Sequence, residues 1–175
     1  ALAAMSGRVS LLDFPDNSIQ PDIVFLEYFK AMGIPYSLEN KILKISKCET
    51  WKGLDANLNR HPDLLPVLSV LCAFATSESH LSGLDHLAFK ESNRIVKSSE
   101  LIEKLGAHVK VENGNSLHIT PRPQSVVSLE FDPDQDHRMA MAAAVANARG
   151  TQIHILNKSV VNKSFPEFWQ IAGEA

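Results

Sequence analysis

The chain has 175 residues, 45% of them hydrophobic and 21% charged, which is typical of a globular domain large enough to bury a core. The net charge is −3 and no apolar run is as long as a membrane span, so the sequence argues against nucleic acid and membrane as partners. The two cysteines, Cys48 and Cys72, have no metal-type spacing and favour a reducing compartment, which we take to be the cytoplasm.

The predicted elements begin with the apolar residues 1–5. We interpret them as the end of a helix, and we therefore expect the chain to be a fragment of a longer protein, called here the parent protein. Apolar periodicity predicts helices at 19–31, 62–75, 91–105, 137–148 and 164–172. Alternating segments predict strands at 8–12, 42–45, 80–84, 109–112 and 152–156, with hairpin turns at 39–41 and 113–115.

The order of these elements repeats along the chain. Gly33 and Gly106, 73 residues apart, each close a helix and precede a strand, an Asn-containing turn and a second strand. Acid-led apolar helices begin at Asp63 and Asp136, again 73 residues apart. The repeating unit is therefore helix, strand, helix, strand, strand.

The apolar pattern also predicts which elements are buried. Helices 62–75 and 137–148 are apolar on nearly every face, as expected of helices that are buried all round. The strands alternate, so one face of each sheet meets water. We predict an α/β (α+β) domain of inverted type, with buried helices and peripheral mixed sheets.

Charged clusters lie at three of the predicted junctions. Lys90-Glu91-Ser92-Asn93-Arg94 and Asp136-His137-Arg138 each open a helix, and Lys163 precedes a third. A helix start offers unpaired N–H groups and the positive end of a dipole, so added cations make an anion receptor. Three such junctions indicate a polyanionic ligand.

Four segments resemble signatures of the 5-enolpyruvylshikimate-3-phosphate synthase (3-phosphoshikimate 1-carboxyvinyltransferase) family. They are Pro62-Asp63, HLAFKESNR at 86–94, DHRMAM at 136–141 and KSFP at 163–166. The resemblance covers nearly the whole chain and implies two similar domains, each of three βαβαββ units with internal helices. It implies that residues 1–175 are most of the C-terminal domain, and that an N-terminal domain absent from this chain supplies the rest of the active site in cis.

The resemblance implies transfer of the enolpyruvyl (carboxyvinyl) group of phosphoenolpyruvate to the 5-hydroxyl of shikimate-3-phosphate, in the shikimate pathway to aromatic amino acids. Phosphate is released, and no metal or organic cofactor is implied. Such a reaction needs a base for the hydroxyl, a proton source for the methylene carbon, and cations for a carboxylate and a leaving phosphate.

By position, Asp63 would hold the shikimate hydroxyls and act as the base, and Glu91 would move the proton to and from the methylene carbon. Lys163 would bind phosphoenolpyruvate and is counted among the catalytic residues as well. The other substrate-binding residues implied are Arg94 and Arg138 for phosphoenolpyruvate, Lys90 toward the hydroxyl, His137 as an orienting group, and His86 at a shikimate contact that varies in the family.

Four of these residues also have a structural interpretation. Glu91 and Arg94 have the spacing of a surface ion pair, Asp63 suits a helix dipole, and His137 suits a structural donor. Asn93 stands where the family usually has Asp, and Asn can still cap a helix or form hydrogen bonds there. Pro21 replaces a common Gly at a first helical turn, where it is expected to be neutral.

Two other functions are open at this point. The sister UDP-N-acetylglucosamine enolpyruvyl transferase of cell-wall synthesis shares the fold and the chemistry, although the KES-x-R and DHRMAM strings favour the shikimate enzyme. A non-catalytic binding or scaffold domain is the other alternative. Because half of the implied site is absent, we expect the chain by itself to turn over nothing.

Overall fold

The computed structural model of the protein describes residues 1–15, 20–87, 90–121 and 128–173. The α-helices are α1 (Leu2–Ser6), α2 (Phe25–Met32), α3 (Leu65–Ala73), α4 (Arg94–Lys104), α5 (His137–Asn147) and α6 (Phe168–Ala172). The 3-10 segments Pro21–Val24, Pro62–Leu64 and Lys158–Lys163 precede α2, α3 and α6. The strands are β1 (Arg8–Leu11), β2 (Tyr36–Glu39), β3 (Ile42–Ser46), β4 (Asp55–Asn57), β5 (Ser79–Ser82), β6 (His108–Glu112), β7 (Ser116–Thr120), β8 (Ser128–Phe131) and β9 (Gln152–Ile155).

The repeat is visible in the sheets. The middle unit runs β4-α3-β5-α4-β6-β7 and forms a sheet of order β4-β5-β7-β6, in which β4 and β5 are parallel and the other neighbours antiparallel. The first unit gives an antiparallel sheet of order β1-β3-β2, and the third gives the parallel pair β8-β9. The predicted class, a mixed domain of repeated units, is confirmed.

The core lies between the helices, as predicted from their apolar faces. Every residue of α3 except Val67 is buried, and α5 buries seven of its residues through a run of alanines. Helix α3 packs against both α4 and α5. The sheets are peripheral: β3 alternates buried and exposed positions, so its polar side faces water.

Several helices begin later than predicted, and each difference has a local cause. Helix α4 begins at Arg94 rather than 91 because the side chain of Asn93 accepts a hydrogen bond from the Val96 N–H, 3.2 Å away, and caps the helix. Helix α6 begins at Phe168 rather than 164, since Pro166 disfavours helical backbone at Phe165. The helices predicted at 19–31 and 62–75 each divide into a 3-10 turn and an α-helix, and residue 19 lies outside the described residues.

Strands β4 and β8 were not predicted. Each is three or four residues long, and β4 is mostly polar, so neither has an alternation long enough to detect. Both predicted hairpin turns are confirmed: the backbone is left-handed at Asn40 and Lys41, and again at Asn113 and Gly114. Within the described ranges, every helix is too short or too polar to cross a membrane.

An apolar groove of about 570 Å³ lies beside the internal helices. Its walls include Val67 of α3, Met141 and Val145 of α5, and Phe168 of α6. Asp63 and Arg138 also line it, so the groove adjoins the charged cluster described below. An apolar surface of this kind in a globular protein commonly marks a place where another segment or partner packs.

Gly53 lets the chain before β4 approach β5 closely. A Cβ at this position would collide with the backbone carbonyl of Glu78. We expect Gly53→Ala to lower the free energy of unfolding by about 1–3 kcal/mol, the usual cost of overpacking. Gly7→Ala is the matched control, because a Cβ there meets open space and its φ is −145°. Urea unfolding of both variants measures the difference, and equal stabilities would contradict the close approach.

Candidate active site

The starts of three elements meet at one place in the fold. Asp63 lies on the 3-10 turn before α3, Arg94 is the first residue of α4, and His137 and Arg138 open α5. Helices α3, α4 and α5 pack against one another, so their starts can come together. The repeat therefore brings residues 31 to 75 positions apart into contact.

Arg94 is the centre of this cluster. Its side chain is 1% exposed, although a guanidinium group is strongly charged. Its Nε donates to Asp136 Oδ2 at 2.7 Å and its Nη1 to Asp63 Oδ1 at 2.6 Å. Its Nη2 donates to Glu91 Oε2 at 2.8 Å. The three carboxylates offset the cost of burying the guanidinium group, which would otherwise be large.

Asp136 holds Arg94 and caps α5 at the same time. It is fully buried, and besides Arg94 it accepts hydrogen bonds from Ser92 Oγ at 3.1 Å and from the Arg138 N–H at 2.9 Å. Burial alone would raise the pKa of Asp136, but the hydrogen bonds and charge of Arg94 outweigh it and lower the pKa. Sequence analysis placed Asp136 at a motif start but not among the site residues. An Asp directly before an apolar helix is an N-cap signature that could have identified it.

Asp63 is shared by three cations. Its Oδ2 accepts from Arg138 Nη2 at 2.9 Å, and its Oδ1 lies 2.6 Å from Arg94 Nη1 and 3.6 Å from Lys90 Nζ. Partial burial would raise the pKa of Asp63, but Arg138, Arg94 and Lys90 together hold it below its ordinary value. In this arrangement the carboxylate is ionised and is a weak proton acceptor.

His137 and Lys163 lie beside the cluster. Lys163 Nζ donates to the Gln135 carbonyl at 3.1 Å, next to Asp136. Burial, aided by Arg138 and Lys163, lowers the pKa of His137 despite the opposing charge of Asp136, so the ring is neutral at neutral pH. Its Nδ1 is buried and has no hydrogen-bond partner among the described residues.

The structure therefore brings together most of the predicted site residues. Asp63, Lys90, Glu91, Arg94 and Arg138 form one network of ion pairs. His86 is the exception: its Nε2 pairs with Asn59 Oδ1 at 2.6 Å, and no contact among the described residues joins it to the network. Glu91 and Arg94 do form the ion pair that their spacing suggests. The pair is not on the surface, however, because the Arg94 side chain is buried.

The charges of the cluster nearly balance. The cluster and its edge hold four cations and three carboxylates, so one positive charge is in excess: Lys90, Arg94, Arg138 and Lys163 against Asp63, Glu91 and Asp136. Asn93 contributes a helix cap and no charge. In the described part of the chain, no group of three or more His, Cys, Asp or Glu side chains is arranged to hold a metal ion.

The fold and the cluster define a class of domains with internal helices, peripheral sheets and cations gathered at the helix starts. Residues 1–171 match the profile of the EPSP synthase (3-phosphoshikimate 1-carboxyvinyltransferase) family. The chain belongs to this family.

Similar proteins agree with this assignment. The 3-phosphoshikimate 1-carboxyvinyltransferases of Methanoculleus marisnigri and Syntrophobacter fumaroxidans are 33% and 34% identical over 168 and 170 residues. These alignments cover 96% and 97% of this chain but 39% and 40% of the relatives, so the chain spans about two fifths of their length.

Solved structures share the fold. The EPSP synthase of Acinetobacter baumannii superposes with a TM-score of 0.79 at 25% identity and covers 99% of this chain and 43% of its own. The enolpyruvyl transferase NikO of Streptomyces tendae has a TM-score of 0.75 at 14% identity, with 99% and 40% coverage, and shows the fold alone.

Removing the Asp136 charge should destabilise the fold. Asp136→Asn leaves the buried Arg94 without its main partner, and breaking a buried pair costs about 3–5 kcal/mol. Asp134→Asn is the matched control: Asp134 is exposed, and its left-handed backbone, with φ 53°, suits Asn. Chemical unfolding should show a large loss for the first variant and little change for the second. A loss below about 1 kcal/mol for Asp136→Asn would contradict the structural role.

The cluster also predicts how stability depends on pH. The pKa values of Asp63 and Asp136 are lowered in the folded chain, so the unfolded chain takes up protons first as pH falls. The ionised carboxylates therefore contribute stability above the unfolded pKa of about 3.9, and it is lost as pH falls through the folded values. Between about pH 5 and pH 2, the unfolding free energy of the wild type should fall more steeply than that of Asp136→Asn. Parallel pH profiles would be inconsistent with the lowered pKa of Asp136.

Proposed function

We propose that the parent protein transfers the carboxyvinyl group of phosphoenolpyruvate to the 5-hydroxyl of shikimate-3-phosphate and releases phosphate. The observation that carries the proposal is the convergence of the Arg94 and Arg138 guanidinium groups on the Asp63 carboxylate. This convergence places cations and an acid within one site, as attack on an anionic substrate requires. Family membership supports it, since the relatives described above are named for this activity.

In the proposed reaction, the 5-hydroxyl oxygen attacks the central carbon of phosphoenolpyruvate as the methylene carbon gains a proton. The tetrahedral intermediate then returns that proton and loses phosphate. Asp63 would take the hydroxyl proton and bind the neighbouring hydroxyls. Glu91, held by Arg94 at 2.8 Å, would carry the methylene proton.

The cations would divide between two tasks. Arg94, Arg138 and Lys163 would bind the carboxylate and phosphate of phosphoenolpyruvate. Arg138 and Lys163 are partly or fully exposed, and the side chain of Arg94 is 1% exposed in this chain. Lys90 would face the attacking hydroxyl. His137 would orient neighbouring groups through its buried Nδ1, which has no hydrogen-bond partner among the residues that the structure describes. His86, bonded to Asn59 here, would contact shikimate-3-phosphate once both substrates are bound.

We also propose that residues 1–175 form most of the C-terminal domain of a two-domain protein whose N-terminal domain completes the site in cis. The share of the relatives that the chain covers supports this proposal. The repeat supports it as well: in the described residues, the first unit has no strand equivalent to β4, and the third has no pair equivalent to β6 and β7. The apolar groove beside α1 gives such additional segments a surface to cover. The two free cysteines support a cytoplasmic location.

The reaction is tested with a substrate panel on the parent protein. Shikimate-3-phosphate and a UDP-N-acetylglucosamine acceptor are each offered with phosphoenolpyruvate, and phosphate release is measured. The names of the relatives favour shikimate-3-phosphate. Turnover with only the UDP-sugar would replace this proposal with the cell-wall reaction. Turnover by residues 1–175 alone would contradict the proposal that an N-terminal domain completes the site.

Truncating a proposed phosphoenolpyruvate ligand should raise the concentration of this substrate that the parent protein needs. Arg138→Ala and Lys163→Ala each remove a charge-assisted hydrogen bond, worth about 1.5–3 kcal/mol. We therefore expect KM for phosphoenolpyruvate to rise at least about tenfold in each. Lys44→Ala, on the exposed side of β3, is the matched control. Unchanged kinetics in both site variants would count against these assignments.

A further inference from the structure

The sheet of the middle unit, β4-β5-β7-β6, carries a row of polar residues that the proposed function does not use. The register places Asp55 of β4 opposite His80 of β5, and His80 opposite His118 of β7. His118 in turn lies opposite Lys110 of β6. The row therefore crosses all four strands, with two histidines at its centre.

Both histidines lie on the face of the sheet that meets water. His118 lies between two buried residues of β7, and His80 lies between two buried residues of β5. Alternate side chains of a strand point to opposite faces, so the two rings lie on the face opposite the core. The side chains of His80 and His118 are 42% and 40% exposed, so a solute can reach both rings.

Each ring has a carboxylate beside one of its nitrogens. Asp55 Oδ1 lies 3.5 Å from His80 Nδ1, and Glu78 Oε2 lies 3.4 Å from His118 Nε2. Histidines that bind metal ions commonly have a carboxylate at one ring nitrogen, which orients the ring and makes the other nitrogen a better ligand. The nitrogens that remain for a metal ion are Nε2 of His80 and Nδ1 of His118.

Glu112 of β6 adds a further carboxylate at the same place. Its Oε1 accepts a hydrogen bond from Lys110 Nζ at 2.8 Å, which is the main cause of its lowered pKa. The charges of His118 and His80 lower the pKa of Glu112 further, so this carboxylate is within electrostatic range of both rings. The three carboxylates around the rings outweigh the charge of Lys110, and the field at this surface therefore attracts cations.

We propose that His80 and His118 bind a divalent transition-metal ion of the zinc type, with Glu112 as the third ligand. Residues directly opposite each other on antiparallel strands have Cβ atoms about 4.5–5.5 Å apart. Two such rings can converge on one ion that lies about 2.0–2.1 Å from a nitrogen of each. Imidazole and carboxylate are ligands that zinc accepts, and three protein ligands leave a position for water. The ion links β5, β6 and β7 and lies outside the charged cluster at the helix starts.

Binding requires the side chains to turn. Within the described ranges, no three His, Cys, Asp or Glu side chains are already arranged around the position of an ion. The two rings have room to turn, because each is about 40% exposed. Glu112 must also leave Lys110, and ion pairs at exposed positions are weak. The metal ion therefore competes with Lys110 for Glu112.

Calorimetric titration of the 175-residue chain with Zn²⁺, and separately with Mg²⁺, tests the site. We expect a Zn²⁺ site whose affinity falls at least about tenfold in His80→Gln and in His118→Gln. Mg²⁺ prefers oxygen ligands and should not bind there. His154→Gln is the matched control, because His154 is exposed and lies on β9, in another sheet. Equal Zn²⁺ affinity in wild type and both site variants, no Zn²⁺ binding by wild type, or equally tight binding of Mg²⁺ would each overturn the proposal.

Removing the competing cation should have the opposite effect. Lys110→Gln releases Glu112, so this variant should bind Zn²⁺ about twofold to fivefold more tightly than wild type. Adding Glu112→Gln to it should abolish that gain. Lys44→Gln removes the same charge from the exposed side of β3 and should bind as wild type does. Unchanged or weaker binding by Lys110→Gln would overturn the assignment of Glu112 as the third ligand.

Thermal unfolding gives a second readout. A ligand that binds only the folded chain raises Tm, and at a Zn²⁺ concentration ten times Kd we expect a rise of about 3–6 °C for wild type. The double variant with His80→Gln and His118→Gln should show no rise at the same concentration. An equal rise in both proteins would place the ion elsewhere and overturn the proposal. Neither result bears on the proposed function, which does not use these residues.

Discussion

The buried guanidinium group of Arg94 is the constraint on which the rest of the site depends. A charge at 1% exposure is stable only where carboxylates surround it, and here Asp63, Glu91 and Asp136 do so from three separate segments. The same contacts fix the start of α4 beside the starts of α3 and α5. Folding of the internal helices and assembly of the candidate site are therefore one physical event.

The repeated unit explains why these particular segments meet. Internal helices that are apolar all round must pack against one another, and their starts then lie at one end of the core. Groups that bind anions can gather at this end of the core, because each helix start also offers unpaired N–H groups. Asp136 illustrates the double use, since one carboxylate caps α5 and holds Arg94. Such a site has a buried layer, formed by Arg94 and Asp136, and a more exposed layer, formed by Asp63, Arg138 and Lys163.

The sequence was sufficient for the internal helices, the hairpin turns and the grouping of the charged residues, because apolar periodicity and turn residues report local preferences directly. It was not sufficient for β4 and β8, which are stabilised by pairing with β5 and β9 rather than by their own pattern. Nor did it indicate that Asp136 is a partner of Arg94, since 42 residues separate them and only packing brings them together. His86 lies within one of the segments that resemble the family, and the sequence therefore grouped it with the site. In the structure it pairs with Asn59 instead.

The central claim is that Asp63 and Asp136 act on the fold through one shared arginine. A double-mutant cycle on the unfolding free energy tests it directly, with Asp63→Asn, Asp136→Asn and the double variant. Because both acids bind Arg94, the account predicts that the two losses do not add, with a coupling of about 0.5–3 kcal/mol. Losses that add within about 0.3–0.5 kcal/mol, as for independent sites, would contradict it.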